Sequence, residues 1–149
     1  MFDTFRGLPM HAIVVHATVV FLPLMALVTV VVAVIPRLRR YAWWVVALDF
    51  AMVVLTGFTA ETGQAFQARL GGQVAQRHAQ LAGSLIYYAA ALFVTAVLVA
   101  VARRVRVAAM AAALLSVVAA GALVFWTVQV GEAGAQAVWG NVMGSTSTK

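Results

Sequence analysis

The chain has 149 residues, of which 64% are hydrophobic and only 9% are charged. A soluble domain carries roughly 25% charged residues, so this composition predicts one domain whose solvent is lipid. The net charge of +6 does not indicate nucleic-acid binding, because the basic residues form short clusters between apolar segments. The lack of cysteine excludes disulfides, thiolate metal sites, attached c-type haem and iron–sulfur clusters held by this chain.

Four apolar segments predict an all-α fold, an integral membrane four-helix bundle. The segments are residues 9–35, 41–60, 78–102 and 105–130, and a polar tail follows at 140–149. Each segment reaches the ~20 residues that a helix needs to cross the hydrocarbon core. The first is too long to be the core of a cleaved signal peptide, so we expect it to be retained.

The basic residues predict the orientation of the bundle. Six of the ten lie in or beside the two short connections: Arg37, Arg39, Arg40, Arg103, Arg104 and Arg106. The positive-inside rule then places both connections in the cytoplasm and both termini outside.

The two halves of the sequence are alike. Each runs from a histidine through a helix, an arginine cluster and a second helix to a glutamate, a glycine and a Gln-Ala pair. The halves end ETGQAF at 61–66 and EAGAQAV at 132–138. This pattern predicts a parallel repeat of two hairpins about an axis along the membrane normal. Small residues on the third and fourth helices are typical of close helix contacts. These are Ala82, Gly83, Ala119, Ala120 and Gly121.

Counting residues from each arginine cluster gives the depth of the polar side chains, because a helix rises about 1.5 Å per residue. His16 and Glu61 are both 21 residues from their clusters, whereas His11, His78 and Glu132 are 25 or 26 residues from theirs. All three histidines and two of the four acids therefore gather at one end. We call it the histidine end, and the opposite end, with both short connections, the arginine end.

Several kinds of site are consistent with this gathering. His11 or His16 facing His78 would supply the two axial imidazoles of one b-type haem. His16, Glu61, His78 and Glu132 offer the imidazole and carboxylate ligands that suit a divalent metal. A proton-handling or polar-ligand site is a third interpretation, since histidine titrates near neutral pH. The fourth is structural, with these side chains hydrogen-bonding one another to hold the helices in register.

A second polar layer lies nearer the arginine end. Asp49 is nine residues from Arg40, and Thr29, Thr95 and Ser116 are eight, eight and ten residues from their own arginine clusters. An acid at this depth is costly unless it finds partners or is protonated. We interpret Asp49 as a buried acid that one of these hydroxyls satisfies, and the alternative is a small proton-linked transporter that uses Asp49.

The segment GLPMHAIVVHATVVFLPL at 7–24 resembles the start of a bacterial family of four-helix membrane proteins, the domain of unknown function 2231 family. Members usually open Leu-Pro-x-His-Pro-x-x-Val-His. The matching residues are Leu8, Pro9, His11, Val15 and His16, and Ala12 stands where the family has proline.

The resemblance continues over nearly the whole chain. TAETGQAFQARLG at 59–71 and RHAQLAG at 77–83 resemble the middle of the family, with His78 as its histidine. GEAGAQAVWG at 131–140 resembles Gly-His-x-Gly-Ala-x-x-Val-Trp, with Glu132 where a histidine is common. The family has no settled activity. Some members are joined to cytochrome-like domains, which implies haem or electron transfer. The change at Glu132 removes one potential ligand and leaves three histidines.

Our leading hypothesis is therefore a small electron-transfer protein of the bacterial cytoplasmic membrane that binds one b-type haem or a metal ion. It passes electrons and is not an enzyme that transforms a substrate. One alternative is a cofactor-free accessory subunit of a larger, respiratory membrane complex. The expected partners are the lipid bilayer and either other membrane subunits or further copies of the chain.

Overall fold

The computed structural model describes residues 4–5, 8–69 and 75–144. Strands β1 (Thr4–Phe5) and β2 (Leu8–Pro9) form a short antiparallel pair, with Thr4 opposite Pro9 and Phe5 opposite Leu8. The long elements are α1 (Met10–Val34), α2 (Ala42–Arg69), α3 (Gln76–Ala102) and α4 (Arg106–Gly144). A 3₁₀ helix (Pro36–Tyr41) joins α1 to α2. The predicted all-α architecture of four helices is confirmed.

Each of the four helices is long and apolar enough to cross a membrane. Many large apolar side chains point outward rather than inward. Trp44, Tyr87 and Val107 are 72%, 74% and 78% exposed. In water such a surface would be an aggregation liability, whereas in a bilayer it is the surface that meets lipid. The chain is therefore a membrane protein in contact with lipid.

The helices form a square. α1 packs against α2 and α4, and α3 packs against the same two helices, so α1 and α3 stand on one diagonal. Among the residues whose burial the structure describes, 21 hydrophobic residues are buried and eleven of them are alanine. Small side chains let helix backbones approach, which is how helices associate in lipid. Ala120 follows this rule and is buried, but the expectation is wrong for Gly83 and Gly121, which face open space on the outer surface.

α2 and α4 continue past the ends that hydropathy predicts. The apolar segments stop near 60 and 130, whereas the helices end at Arg69 and Gly144. The extra residues include five alanines, three glutamines and two glutamates, which favour helix in water as well as in lipid, alongside five glycines. Hydropathy predicts which residues lie in the membrane, but it does not predict where a helix ends. Part of the predicted polar tail thus belongs to α4, and 145–149 lie outside the described residues.

At the arginine end, one basic side chain also stabilises a helix terminus. Arg39 donates from Nε to the carbonyl oxygen of Ala33 at 2.9 Å. Ala33 lies in the last turn of α1, where carbonyls have no partner inside the helix. Arg40 lies over the ring of Tyr41, 4.7 Å from its centroid. These arginines therefore fix the first connection locally, besides any role in orientation.

Candidate functional site

His78 is held by a backbone carbonyl of the neighbouring helix. Its Nδ1 lies 2.9 Å from the carbonyl oxygen of Val130 on α4, and the side chain is half-buried. A carbonyl only accepts hydrogen bonds, so Nδ1 carries the hydrogen and donates it. In the neutral imidazole, Nε2 then keeps its lone pair, which is the form that binds a metal centre.

Gly134 makes room for the His78 ring. A Cβ atom at Gly134 would lie 3.1 Å from Nδ1 and 3.2 Å from Cε1 of His78. Contacts this short are tighter than most Cβ contacts, so the ring rests directly on the α4 backbone. We define the His78 site as His78, Val130 and Gly134.

His11 is held on α2 in a related way. A Cβ atom at Gly63 would lie 2.9 Å from Cε1 of His11. The His11 Nδ1 is 3.4 Å from the hydroxyl oxygen of Thr62, and the ring stacks on Phe66 with centroids 6.1 Å apart and planes at 22°. The Thr59 backbone lies close enough to affect the charge of the ring. We define the His11 site as His11, Thr59, Thr62, Gly63 and Phe66.

The environment favours the neutral form of His11. Burial lowers the pKa of His11, the charge of His78 lowers it further, and acceptance of a hydrogen bond by the Thr59 backbone partly offsets both. The charge of His78 therefore acts on His11, although α1 and α3 stand on a diagonal of the bundle. A neutral imidazole is the form that can ligate a metal.

The two sites use matching backbone positions. Thr59 and Gly63 are one helical turn apart on α2, as Val130 and Gly134 are on α4. Both positions on α4 come 71 residues after those on α2. Each histidine therefore meets the backbone of its helix partner at a glycine and at the residue one turn before it.

The other predicted site residues lie differently. His16, Glu61 and Glu132 are exposed. Within residues 4–5, 8–69 and 75–144, no three histidine, aspartate or glutamate side chains group closely enough to hold a metal ion. The structure thus relates His11 to His78 but does not assemble the predicted metal set of His16, Glu61, His78 and Glu132. That metal set stays a prediction.

The residues that position the two imidazoles were not predicted from the sequence. Gly63 and Gly134 were visible as the glycines of ETG and EAG, but only as signs of a repeat. Thr62 and Phe66 gave no signal, because a threonine or phenylalanine at the end of an apolar helix is ordinary. Val130 acts through its backbone, which no side-chain pattern reports.

The second polar layer is buried. The exposed fractions of Asp49, Thr29, Thr95 and Ser116 are 1%, 2%, 7% and 0%. Thr29 donates from Oγ1 to Oδ2 of Asp49 at 2.8 Å. Thr95 and Ser116 instead donate to carbonyls of their own helices, at Leu92 and Ala112. One hydroxyl of the layer therefore binds the acid, and the other two satisfy themselves locally.

Comparison with known proteins identifies a family but no characterised relative. No curated protein and no solved structure matches the chain. One family model, described as predicted membrane protein (DUF2231), matches residues 7–147. That match takes in all four helices and both histidine sites. The chain belongs to the DUF2231 family of predicted membrane proteins.

Proposed function

We propose that the histidine end binds one b-type haem between His11 and His78, and that the protein carries electrons in the bacterial cytoplasmic membrane. One observation carries this proposal. Two half-buried imidazoles, from helices on a diagonal of the bundle, rest on matching glycine positions of the helices between them. A binding site between diagonal helices lies inside the bundle, where helical membrane proteins place their cofactors.

The donor set suits haem better than a bare metal ion. A divalent metal commonly takes three or four protein ligands, and the described part of the chain groups no three. A b-type haem can be held by two histidine nitrogens, which His11 and His78 would supply. In its neutral form His78 presents Nε2 with a lone pair, and the lowered pKa of His11 favours the neutral form of that ring. When bound, a haem would supply one-electron redox chemistry.

The chain's own contribution is orientation of the imidazoles. The Val130 carbonyl fixes the tautomer of His78, so that Nε2 carries the lone pair. Gly63 and Gly134 let the rings lie directly against the helix backbones. Phe66 stacks on one side of the His11 ring.

The repeat of two hairpins supports a paired site. Buried positions in α1 have buried counterparts 67 residues later in α3, and buried positions in α2 have buried counterparts 71 residues later in α4. The α1 and α3 pairs are Thr18 and Leu85, Leu22 and Ala89, Met25 and Leu92, Thr29 and Ala96, Val32 and Val99, Ala33 and Ala100. The α2 and α4 pairs are Ala42 and Ala113, Val45 and Ser116, Asp49 and Ala120, Met52 and Leu123, Thr56 and Thr127. In a parallel repeat, His11 and His78 occupy equivalent positions about the central axis.

The absorption spectrum of the detergent-purified protein tests the haem proposal. Oxidised and dithionite-reduced samples should show a Soret band with α and β bands on reduction. His11→Ala and His78→Ala should each lose the bands, whereas His16→Ala, an exposed histidine in the same helix as His11, should keep them. A colourless protein from cells supplied with haem would contradict the proposal and favour the accessory-subunit alternative, which stable co-purification with larger subunits would support.

We propose that both termini lie outside the cytoplasm, because the positive-inside rule places the arginine end in the cytoplasm. The chain has no cysteine, so single cysteines report directly on sidedness. An impermeant thiol reagent added outside intact cells should label Trp139→Cys and leave Arg104→Cys unlabelled. Both positions are exposed, and the opposite pattern would invert the topology.

A further inference from the structure

Asp49 is an isolated acid in the apolar interior. It is 1% exposed and lies nine residues beyond Arg40, or about 13 Å along the helix at about 1.5 Å per residue. Thr29 donates to Oδ2 at 2.8 Å, while Oδ1 is buried without a hydrogen-bond partner among the described residues. One oxygen of the carboxyl group therefore has a hydrogen-bond donor, and the other, Oδ1, has no partner among the described residues and is available to bind a proton.

Among the residues that the structure describes, burial and the Thr29 hydroxyl act on this carboxyl, and no charged group is among them. The titratable or charged residues on the other helices are His11 and His16 on α1, Arg77, His78, Tyr87 and Tyr88 on α3, and Arg106 and Glu132 on α4. By residue count, Tyr88 is six residues, or about 9 Å, further from the arginine end than Asp49. The arginine clusters lie at the helix ends, where Arg39 binds the Ala33 carbonyl. An ionised Asp49 would have no counter-charge, which disfavours that form inside a membrane.

The packing of the bundle does not require an acid here. The position 71 residues after Asp49 is Ala120, which is also buried. One other buried position is polar in both hairpins, since Thr56 and Thr127 each donate to the carbonyl one turn before them. The carboxyl group is thus an addition to the first hairpin at a place that an alanine fills in the second.

A narrow crevice without room for a water molecule lies beside this region. It is lined by residues of three helices: Thr29, Val32, Ala42, Val45, Ala96 and Val99. Thr29 is the residue that binds Asp49, and Val45 is one turn before Asp49 on α2. Val32 and Ala42 lie nearer the arginine end. A water molecule that reaches the carboxyl from this side must therefore widen the crevice.

We propose that Asp49 is a reversible proton-binding site, with Oδ1 carrying the proton and Thr29 fixing Oδ2. On release, the O–H bond at Oδ1 breaks, a water molecule that has entered through the widened crevice takes the proton as hydronium, and the carboxylate remains. Uptake is the reverse, so no oxidant or further reactant is needed. This site would give the protein a proton-linked function that is independent of any cofactor at the histidine end.

Infrared difference spectroscopy of the whole protein in lipid tests the proposal. A protonated carboxyl gives a C=O stretch that a carboxylate lacks, and the chain has only four acidic residues to assign. We expect a band that Asp49→Asn removes completely, that titrates with pH and that moves to lower frequency in D₂O. Thr29→Val should move it to higher frequency, because the carbonyl loses a hydrogen-bond donor. The controls Glu61→Gln and Glu132→Gln should leave the band in place.

Two results would overturn the proposal. Absence of the band at every pH would mean that Asp49 is always ionised. A band that neither titrates nor responds to D₂O would mean a permanently protonated, structural acid. If Asp49→Asn does not fold, Thr29→Val still assigns the band, since valine keeps the shape of threonine and leaves Asp49 intact. The haem proposal is tested by colour, so each proposal can fail separately.

Discussion

The two histidine sites share a backbone arrangement but differ in how firmly they hold the ring. His78 donates to a carbonyl at 2.9 Å, a full hydrogen bond. His11 meets the Thr62 hydroxyl at 3.4 Å, which is long for a hydrogen bond, and is covered by Phe66. The same glycine position thus serves two purposes. The His78 site fixes the direction of an imidazole, whereas the His11 site controls its charge by burial.

The largest expected effect comes from filling the space at the two glycines. In Gly134→Ala, the His78 ring can move from the new Cβ only by breaking its 2.9 Å bond to Val130, which costs about 1 kcal/mol or more. In Gly63→Ala the contact is closer, at 2.9 Å, and His11 is held there by the Thr59 backbone and a weak contact with Thr62. We therefore expect both variants to lower the thermal stability in detergent, and Gly63→Ala, with the closer contact, to displace its imidazole more.

Two other glycines provide the matched control. Gly83 and Gly121 are helical, and a Cβ there would meet nothing within 4 Å. Alanine is a better helix former than glycine by roughly 1 kcal/mol, so Gly83→Ala and Gly121→Ala should be neutral or stabilising. If alanine lowered the thermal stability by a similar amount at all four glycines, the contacts with the imidazoles would not be the cause of the loss of stability.

Sequence patterns found the membrane spans because hydropathy and arginine clusters are local signals. They did not decide between His11 and His16, since the two are about 140° apart on a helix and the sequence does not say which direction faces the bundle. Burial decides it, with His11 half-buried and His16 exposed. The residue count from each arginine cluster did place Asp49 and Thr29 at a similar depth. It succeeds because residues equally far from the connection lie at the same depth in neighbouring antiparallel helices of similar tilt.

A smaller effect concerns pH. Because the pKa of His11 is lowered in the folded protein, the unfolded chain binds more protons than the folded chain as pH falls through about 6.5, the ordinary pKa of histidine. The contribution of His11 to stability is therefore present above that pH and is lost as pH falls toward the lowered value. We expect part of the acid sensitivity of the melting temperature to disappear in His11→Gln.

The influence of one histidine on the other can be measured directly. NMR titration of the His11 ring protons should give a pKa below the ordinary value in the wild type and a higher one in His78→Gln, because a positive charge is removed. His16→Gln is the matched control and should change the His11 titration less. A His11 pKa that does not respond to His78→Gln would separate the two sites and weaken the case for a shared ligand.

The smallest expected effect comes from Phe66→Ala, which makes the His11 site more like the His78 site. The residue 71 positions after Phe66 is Ala137, so the second hairpin has no corresponding ring. The Phe66 stack is wide, at 6.1 Å, and should contribute no more than about 0.5 kcal/mol. Its loss should nevertheless raise the pKa of His11 toward the ordinary value, since burial is the largest cause of the lowering.

Phe50→Ala is the control, because it removes a ring that contacts Phe93 instead, and it should leave the His11 titration unchanged. If Phe66→Ala also leaves the titration unchanged, the helix backbones bury His11, and the difference between the two sites then rests on the polar contacts with Thr59 and Thr62.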